Sequence, residues 1–279
     1  MGQLISVIIP VFNEEGTIGE CLKSLRNQSY KQMEIIVVDD SSSDSTRNIV
    51  KGFPDIKLLT QGHKGPGQAR NLGAAIAKGE FLVFVDADMT FDKNFVKDLV
   101  KPIVEGKTIG TFSKNEMVKN IDNIWSNCWN INKNLPLDRM IAKNYPDEAP
   151  VFRAILKKEF ERVGGFETSG QYTDDWSLSR KLGKKSTVAS GAIYYHSNPD
   201  SPADVWKQAR WIGKNEFISG NLLRKTRSIL FYSFLMSFAL GFYKSVTNIN
   251  FHFVIFKLIY DFAVFTSVTR SFFGETKAK

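Results

Sequence analysis

Phe81-Leu82-Val83-Phe84-Val85-Asp86-Ala87-Asp88 decides the reading of this chain. Five apolar residues rich in Phe and Val predict a buried strand, and two carboxylates one residue apart follow it directly. A buried strand has no use for two charges in its interior, so they mark the point where it emerges. In an open α/β sheet that point, at the carboxyl end of the strands, is where ligands bind. Paired carboxylates there suit a hard divalent cation, which can in turn hold a phosphate. Asp-x-Asp also arises in ordinary turns, so the pattern needs company.

Two further strands end alike. Ser6-Val7-Ile8-Ile9-Pro10 runs into Val11-Phe12-Asn13-Glu14-Glu15, and Glu34-Ile35-Ile36-Val37-Val38 runs into Asp39-Asp40-Ser41-Ser42-Ser43-Asp44. Ser43 or Asp44 reads as the cap of a helix beginning near Ser45. That role does not account for Asp39 and Asp40.

Strands are predicted at 6–10, 34–38, 56–59 and 81–85, and helices at 17–27, 45–51, 67–78 and 93–104. The alternation predicts a mainly parallel sheet covered on both faces. The second half is more mixed, with strands predicted at 108–113, 151–156 and 187–195 and helices at 121–132, 158–163, 176–181 and 204–220.

With these motifs in order, the chain resembles the family 2 glycosyltransferases of the GT-A fold. The likeness rests on Val7 to Glu14, Val37-Val38-Asp39-Asp40-Ser41-Ser42, Gly67-Gln68-Ala69-Arg70-Asn71-Leu72-Gly73, Val85-Asp86-Ala87-Asp88, Gly164-Gly165-Phe166 and Asp174-Asp175-Trp176-Ser177-Leu178. It runs from about Ser6 to about Gly213. The implied fold is α/β, a Rossmann-like, mainly parallel central sheet flanked by helices, with a C-terminal apolar helical tail. The expected division is a catalytic domain over 1–221, its nucleotide-sugar half at 1–113 and its acceptor half at 114–221, and a membrane-associating tail at 222–279.

The resemblance implies metal-dependent, inverting transfer of a sugar from a nucleotide donor, a UDP-sugar first among the candidates. Pro10, Val11, Phe12, Glu14 and Val38 would lie at the base and ribose. Asp40, with Asp39 second, would hydrogen-bond the nucleobase. Asp86 and Ala87 would sit near the ribose and metal, and Asp88 would ligate Mn²⁺ or Mg²⁺. Arg70 would either touch the donor or organise the Asp86/Asp88 loop. The Gly-rich stretch at 65–71 lacks the closing Gly-Lys-Ser/Thr of a Walker A loop. Asp175 would be the general base toward the acceptor hydroxyl. Asp174 stands where the family usually has Glu, and either binds acceptor or caps the helix beginning near Trp176.

His196 resembles a family position at the diphosphate or metal; a structural histidine is the alternative. Arg210-Trp211 resembles part of the Gln-x-x-Arg-Trp motif of processive synthases, but Lys207 replaces its Gln, which argues against processive polymerisation. Arg210 would contact the diphosphate and Trp211, with Trp176, the acceptor. The other reading of Trp206 and Trp211 is a core stripe on an amphipathic helix. A nucleotidyltransferase is disfavoured, since Val11 to Thr17 carries one Gly. A catalytically inactive membrane-bound scaffold is the alternative of another class.

The bulk properties agree. The chain has 279 residues, a net charge of +8 and 22 Phe, favouring an anionic partner. Scattered basic residues and the lack of a recognised module argue against nucleic acid. Cys21 and Cys128 suit a reduced compartment, and a strand beginning by Leu4 argues against a signal peptide.

In the tail, Arg224-Lys225-Thr226-Arg227 precedes the apolar 228–243, and 251–268 is interrupted by Lys257 and Asp261, spaced for an i,i+4 pair on a polar face. Ser233, Ser237, Gly241 and Ser245 form a small-residue stripe suited to close helix packing. Interfacial helices on the cytoplasmic face of a membrane, peripheral or shallowly inserted, are the first expectation. An inserted hairpin is the second, and a soluble dimer interface or core cap the third. A membrane-anchored enzyme of this kind suggests a lipid-linked or cell-surface glycan as acceptor, or a polyprenyl phosphate. The tail also offers a route to a homo-oligomer.

Overall fold

A computed structural model of the chain describes residues 2–168, 174–217 and 222–272. They form two compact units, one of 1–117 with 141–196, the other of 118–140 with 197–279.

The first unit is built on β1 (Ile5–Val11), β2 (Met33–Asp39), β3 (Lys57–Thr60) and β4 (Phe81–Phe84), with α1 (Ile18–Arg26), α2 (Thr46–Lys51) and α3 (Pro66–Ile76) between them. Then follow β5 (Met89–Phe91), α4 (Phe95–Val104), β6 (Gly110–Phe112) and β7 (Asn115–Val118). After residue 141 come β8 (Glu148–Ala149), β9 (Ala154–Leu156), α6 (Lys157–Arg162), α7 (Asp174–Leu182), β10 (Ser186–Val188) and β11 (Ile193–His196), while the helix before them, α5 (Ile124–Lys133), belongs to the other unit. The main sheet has the order β3-β2-β1-β4-β9-β6-β10-β8. The β1–β2, β1–β4, β2–β3 and β6–β10 pairs are parallel, while β9 runs antiparallel to β4 and β6, and β8 to β10. The mainly parallel expectation therefore holds, with two strands reversed.

Period-two alternation explains why both faces are covered. Ile5, Val7, Ile9 and Val11 point into one core with the apolar faces of α1 and α4. Ile8, Ile36, Val38, Leu82 and Phe84 point into the other, against α3, α6 and α7. Each fully buried Phe or Ile contributes about 1.5–3 kcal/mol. Gly73 lets α3 approach closely, since a Cβ there would stand 2.6 Å from Ile8 Cγ2.

One strand expectation fails. The stretch 187–195 is two strands, broken at a turn where Ala192 N donates to Ala189 O, and the pieces join different sheets. The second piece, β11, belongs with β5 and β7 to a three-stranded sheet whose two short partners the sequence reading did not foresee.

The second unit contains α5 (Ile124–Lys133), α8 (Pro202–Phe217), α9 (Leu222–Phe231), α10 (Phe234–Thr247) and α11 (His252–Phe272). Trp129, Val205, Phe253 and Phe256 form one of its cores. The apolar stretch 228–243 is not one helix, because α9 and α10 bend by 56° across Tyr232 and Ser233. Ser237, Gly241 and Ser245 are buried on α10, and a Cβ on Gly241 would stand 3.2 Å from Lys257 Cβ. The small-residue stripe therefore packs α10 on α11. Lys257 and Asp261 do pair, at 2.8 Å, but the face is buried and not a solvated polar one. Helix α11 is long and apolar enough to cross a bilayer, and α9 with α10 pass the same test as a bent pair.

Candidate active site

The exits of β1 and β2 are laced together. Asn13, with φ of 56°, accepts from Ser43 N through Oδ1 at 2.8 Å and donates its own N–H to Ser42 Oγ at 3.0 Å. Glu14 N donates to Thr46 Oγ1 at 2.8 Å, and Asp44 Oδ1 accepts from Thr46 N at 3.0 Å, although the N-cap of α2 is Ser45 and not Ser43 or Asp44. Burial raises the Glu14 carboxyl above its ordinary range, and Asp88, Asp44 and Asp86 add to the effect; Thr17 opposes it.

Asp39 and Asp40 are both buried. Asp39 accepts from Ser42 N and from Arg47 Nε. Asp40 Oδ1 accepts from Gln61 Nε2 at 2.8 Å and Lys64 N at 2.7 Å, and its Oδ2 accepts from Gly65 N at 2.9 Å. Asp40 thus holds the loop that opens α3. A carboxylate has about four lone-pair sites, and His63 Nδ1 lies 3.1 Å from Oδ2. Little of Asp40 is left to meet a nucleobase. Phe12 is exposed, and its ring packs against that of His63, tilted by 38° with centroids 4.3 Å apart. Pro10 and Val38 lie at paired register at the ends of β1 and β2, with Val11 buried just beyond.

Arg70 Nη2 bonds Asp86 Oδ1 at 2.8 Å, and Arg153 Nη1 bonds Asp86 Oδ2 at 2.9 Å. Burial alone would raise the Asp86 carboxyl, but Arg153 and Arg70 outweigh it and hold it far below the ordinary range. Asn71, beside Arg70, clamps the Gly-Gly turn. It donates through Nδ2 to Phe166 O and accepts from Phe166 N through Oδ1, both at 2.9 Å. Gly164 and Gly165 have φ of +71° and +68°, a region that costs other residues about 1–2 kcal/mol. The two motifs, far apart in sequence, thus act on one spot.

The three-stranded sheet assembles the rest. Residue 89 of β5 pairs with His196 of β11, which brings Asp88 beside that histidine. His196 Nε2 lies 2.8 Å from Asp88 Oδ2, and Nδ1 lies 3.0 Å from Glu116 Oε1 on β7. Tyr194 OH donates to Glu116 Oε2 at 3.0 Å. Burial would lower the His196 value, but Asp88 and Glu116 overcome it and push it up to about 10. The imidazole is then cationic at neutral pH. Glu116 is in turn held below its ordinary range: burial opposes ionisation, and the His196 partner outweighs it.

A divalent cation can be tested against these groups. Asp88 Oδ1 is buried and has no hydrogen-bond partner, an orphaned oxygen that suits a cation. Asp86 has both oxygens on arginines, and His196 has both ring nitrogens on carboxylates. No cluster of three or more His, Cys, Asp or Glu suited to a metal occurs among the described residues. Mg²⁺ and Mn²⁺ are commonly held by one or two carboxylates together with substrate phosphates, and Asp88 fits that pattern. Ala87, between the two carboxylates, is buried.

The remaining candidates are on helices α7 and α8. The side chains of Asp174 and Asp175 are outside the described residues; α7 begins at Asp174. Trp176, at its start, is exposed. Arg210 and Trp211 lie on α8 in the second unit, Trp211 exposed and Arg210 accepting from Ser267 Oγ through its backbone oxygen at 3.0 Å. Arg153 and Glu116 are the functional candidates that sequence reasoning missed. Neither sits in a motif, and each reaches the site through a short strand or its approach.

Comparison with known proteins fits this architecture. The family profile described as Glycosyl transferase family 2 matches residues 6–164, more than half of the chain, and the chain belongs to that family. It is 36% identical to the glycosyltransferase GlyG of Streptococcus pneumoniae over 110 residues, 38% of this chain and 36% of that protein. It is 35% identical over 120 residues to WfgD of Escherichia coli, a UDP-Glc:alpha-D-GlcNAc-diphosphoundecaprenol beta-1,3-glucosyltransferase, covering 42% of this chain and 47% of that one. The chain thus spans well under two thirds of the length of these relatives. S. aureus TarS 1–349 in complex with UDP-GlcNAc superposes with a TM-score of 0.56 at 20% identity, covering 95% of this chain and 91% of that one. The Pyrobaculum calidifontis mannosyltransferase PcManGT with GDP-Man and Mn²⁺ gives 0.54 at 19% identity, covering 95% and 75%. At those identities the likeness is one of fold, a GT-A-like α/β sheet.

Proposed function

We propose that this chain is a metal-dependent, inverting glycosyltransferase that moves a sugar from a nucleotide-sugar, a UDP-sugar first, to a hydroxyl of a lipid-linked glycan at the cytoplasmic face of a membrane. The observation that carries this reading is the orphaned Oδ1 of Asp88, held beside a cationic His196 and a doubly clamped Asp86 at the carboxyl edge of the sheet. The named activity of WfgD on a diphosphoundecaprenol-linked sugar supports the lipid-linked acceptor. The UDP-GlcNAc and GDP-Man complexes of the structural neighbours support the donor class.

Mn²⁺ or Mg²⁺, held by Asp88 and the donor phosphates, would neutralise charge developing on the leaving diphosphate. Arg70 and Arg153 keep Asp86 ionised and hold the loop that aims Asp88. His196, charged and braced by Glu116, places a further cation at the same edge. Phe12 offers an exposed ring for the nucleobase. Asp40 shapes the loop beneath it, and Asp39 buttresses Arg47. Asp175 is the proposed base. It takes the proton of the acceptor hydroxyl as that oxygen bonds to the anomeric carbon and the bond to the diphosphate breaks, the electron pair leaving on the phosphate oxygen. Trp176 and Trp211 are proposed acceptor contacts, and Arg210 a diphosphate contact. The halves 1–113 and 114–221 are proposed to serve donor and acceptor.

A screen of UDP-, GDP- and dTDP-sugars for hydrolysis and transfer, with Mn²⁺ or Mg²⁺ and membrane lipid, tests the proposal. Metal-dependent turnover of one donor is expected. Folded protein that turns over none of them would favour the scaffold reading.

A further inference from the structure

The second unit contains a cavity of about 420 Å³ lined by none of the residues given a role in transfer. Trp206 of α8, Tyr232 at the bend, Phe234 and Ser237 of α10, and Leu258 and Phe262 of α11 line it. The Trp206 and Phe262 rings stand 5.7 Å apart, and Phe234 and Phe262 are 69% and 59% exposed at its mouth. Its size falls in the range of about 300–1,000 Å³ typical of small-molecule sites. The surrounding surface is apolar as well: Leu230, Leu235, Phe238 and Phe242 are all exposed.

Charge indicates the occupant. Residues 222–272 carry Arg224, Lys225, Arg227, Lys244, Lys257 and Arg270 against a single carboxylate, Asp261, which Lys257 already neutralises. Lys225 Nζ donates to Ser271 O at 3.2 Å, so the basic start of α9 meets the end of α11 that bears Arg270. Lys257 is buried with Asp261 and Lys244 donates to Ile131 O, so the cations that count are Arg224, Lys225, Arg227 and Arg270; beside an exposed apolar face they match a layer of anionic headgroups above hydrocarbon. A flat face is enough to lie on such a layer, and a cavity is not needed. Left empty against a bilayer, an apolar cavity forfeits dispersion contacts, and water does not fill it. A chain from the adjoining hydrocarbon does.

We propose that this cavity takes one acyl chain of an anionic bilayer phospholipid, fixing the second unit to the membrane surface. The inference rests on the membrane-surface reading above and adds to it a specific site.

Trp206 is a built-in reporter. The full chain is mixed with vesicles of phosphatidylcholine and phosphatidylglycerol whose acyl chains carry bromine, a fluorescence quencher. Quenching of the wild type is expected, with the deep-chain component lost in Trp206→Phe. Leu258→Phe, which fills the cavity from a partly exposed position on α11, should reduce the quenching and weaken vesicle co-sedimentation by about tenfold. Leu258→Trp provides a second filling variant, and unchanged donor binding and thermal melting certify that both are folded. Vesicle binding with quenching identical in wild type, Trp206→Phe and the filled variants would overturn the chain site while leaving the membrane reading intact. Failure to bind vesicles at all would sink both. Relief of quenching by polyprenyl phosphate below the phospholipid concentration would overturn the proposal in favour of the acceptor's own chain. Donor hydrolysis is scored separately, so loss of the transferase reading does not mimic any of these results.

Discussion

Arg153→Met removes one of the two guanidinium groups on Asp86 while keeping an unbranched, uncharged stem in its place. The lost contact is a charge-assisted hydrogen bond of 2.9 Å from an arginine only 18% exposed. Such bonds contribute about 1.5–3 kcal/mol. The same guanidinium lies 5.8 Å from the Tyr194 ring centroid, a contact of about 0.5–1 kcal/mol. Arg70 remains at 2.8 Å, so the cost stays below the roughly 3–5 kcal/mol of stripping a buried charge of its only partner. The variant should therefore lose about 2–3 kcal/mol at pH 7 by urea denaturation. The pH dependence follows from the depressed Asp86 value. A carboxyl whose folded value lies below its ordinary 3.8 contributes stability that is complete above 3.8 and lost as pH falls toward the folded value. Removing Arg153 lets the folded value rise, so the gap between wild type and variant should be full at neutral pH and narrow below pH 3.8. A change under about 0.5 kcal/mol at pH 7, or a gap constant into strong acid, would refute the clamp.

Lys257→Met alone should cost about 3–5 kcal/mol by leaving Asp261 charged and buried, whereas Lys257→Met with Asp261→Leu should be neutral or more stable, read by thermal melts of both. Gly165→Ala should cost about 1–3 kcal/mol, because its φ of +68° is strained for alanine and the new Cβ would stand 2.5 Å from Asn71 Oδ1; a melt equal to wild type would contradict the Asn71 clamp. Glu116→Gln removes one of the two carboxylates that raise the His196 value, so nucleoside diphosphate binding should weaken more at pH 8 than at pH 6, read by calorimetry; a loss equal at both pH values would contradict the brace.

The acid-ended strands β1, β2 and β4 were legible because each is a run of buried Ile, Val, Leu or Phe closed by a polar exit, and period and punctuation agree there. The site's second layer was not. β5, β7 and β11 are three or four residues long, too short to show a period, yet their pairing puts Asp88, Glu116 and His196 together. Arg153 reads as a surface cation until β9 is known to run antiparallel beside β4. In the tail the spacing of Lys257 and Asp261 predicted the pair correctly, but spacing does not say which face a helix buries. That depended on the small-residue face of α10 lying against it. The bend between α9 and α10 falls at Tyr232-Ser233, a dipeptide with no Gly or Pro to announce it. The grouping of α5 and α8 with the C-terminal helices arises from long-range packing that carries no local signal.

The most direct measurement is calorimetric binding of a UDP-sugar with and without Mn²⁺ to wild type and Asp88→Ala. The account predicts saturable, Mn²⁺-dependent binding by the wild type that the variant loses while keeping its fold. Equal binding by both proteins, or binding indifferent to the metal, would contradict the role given to Asp88.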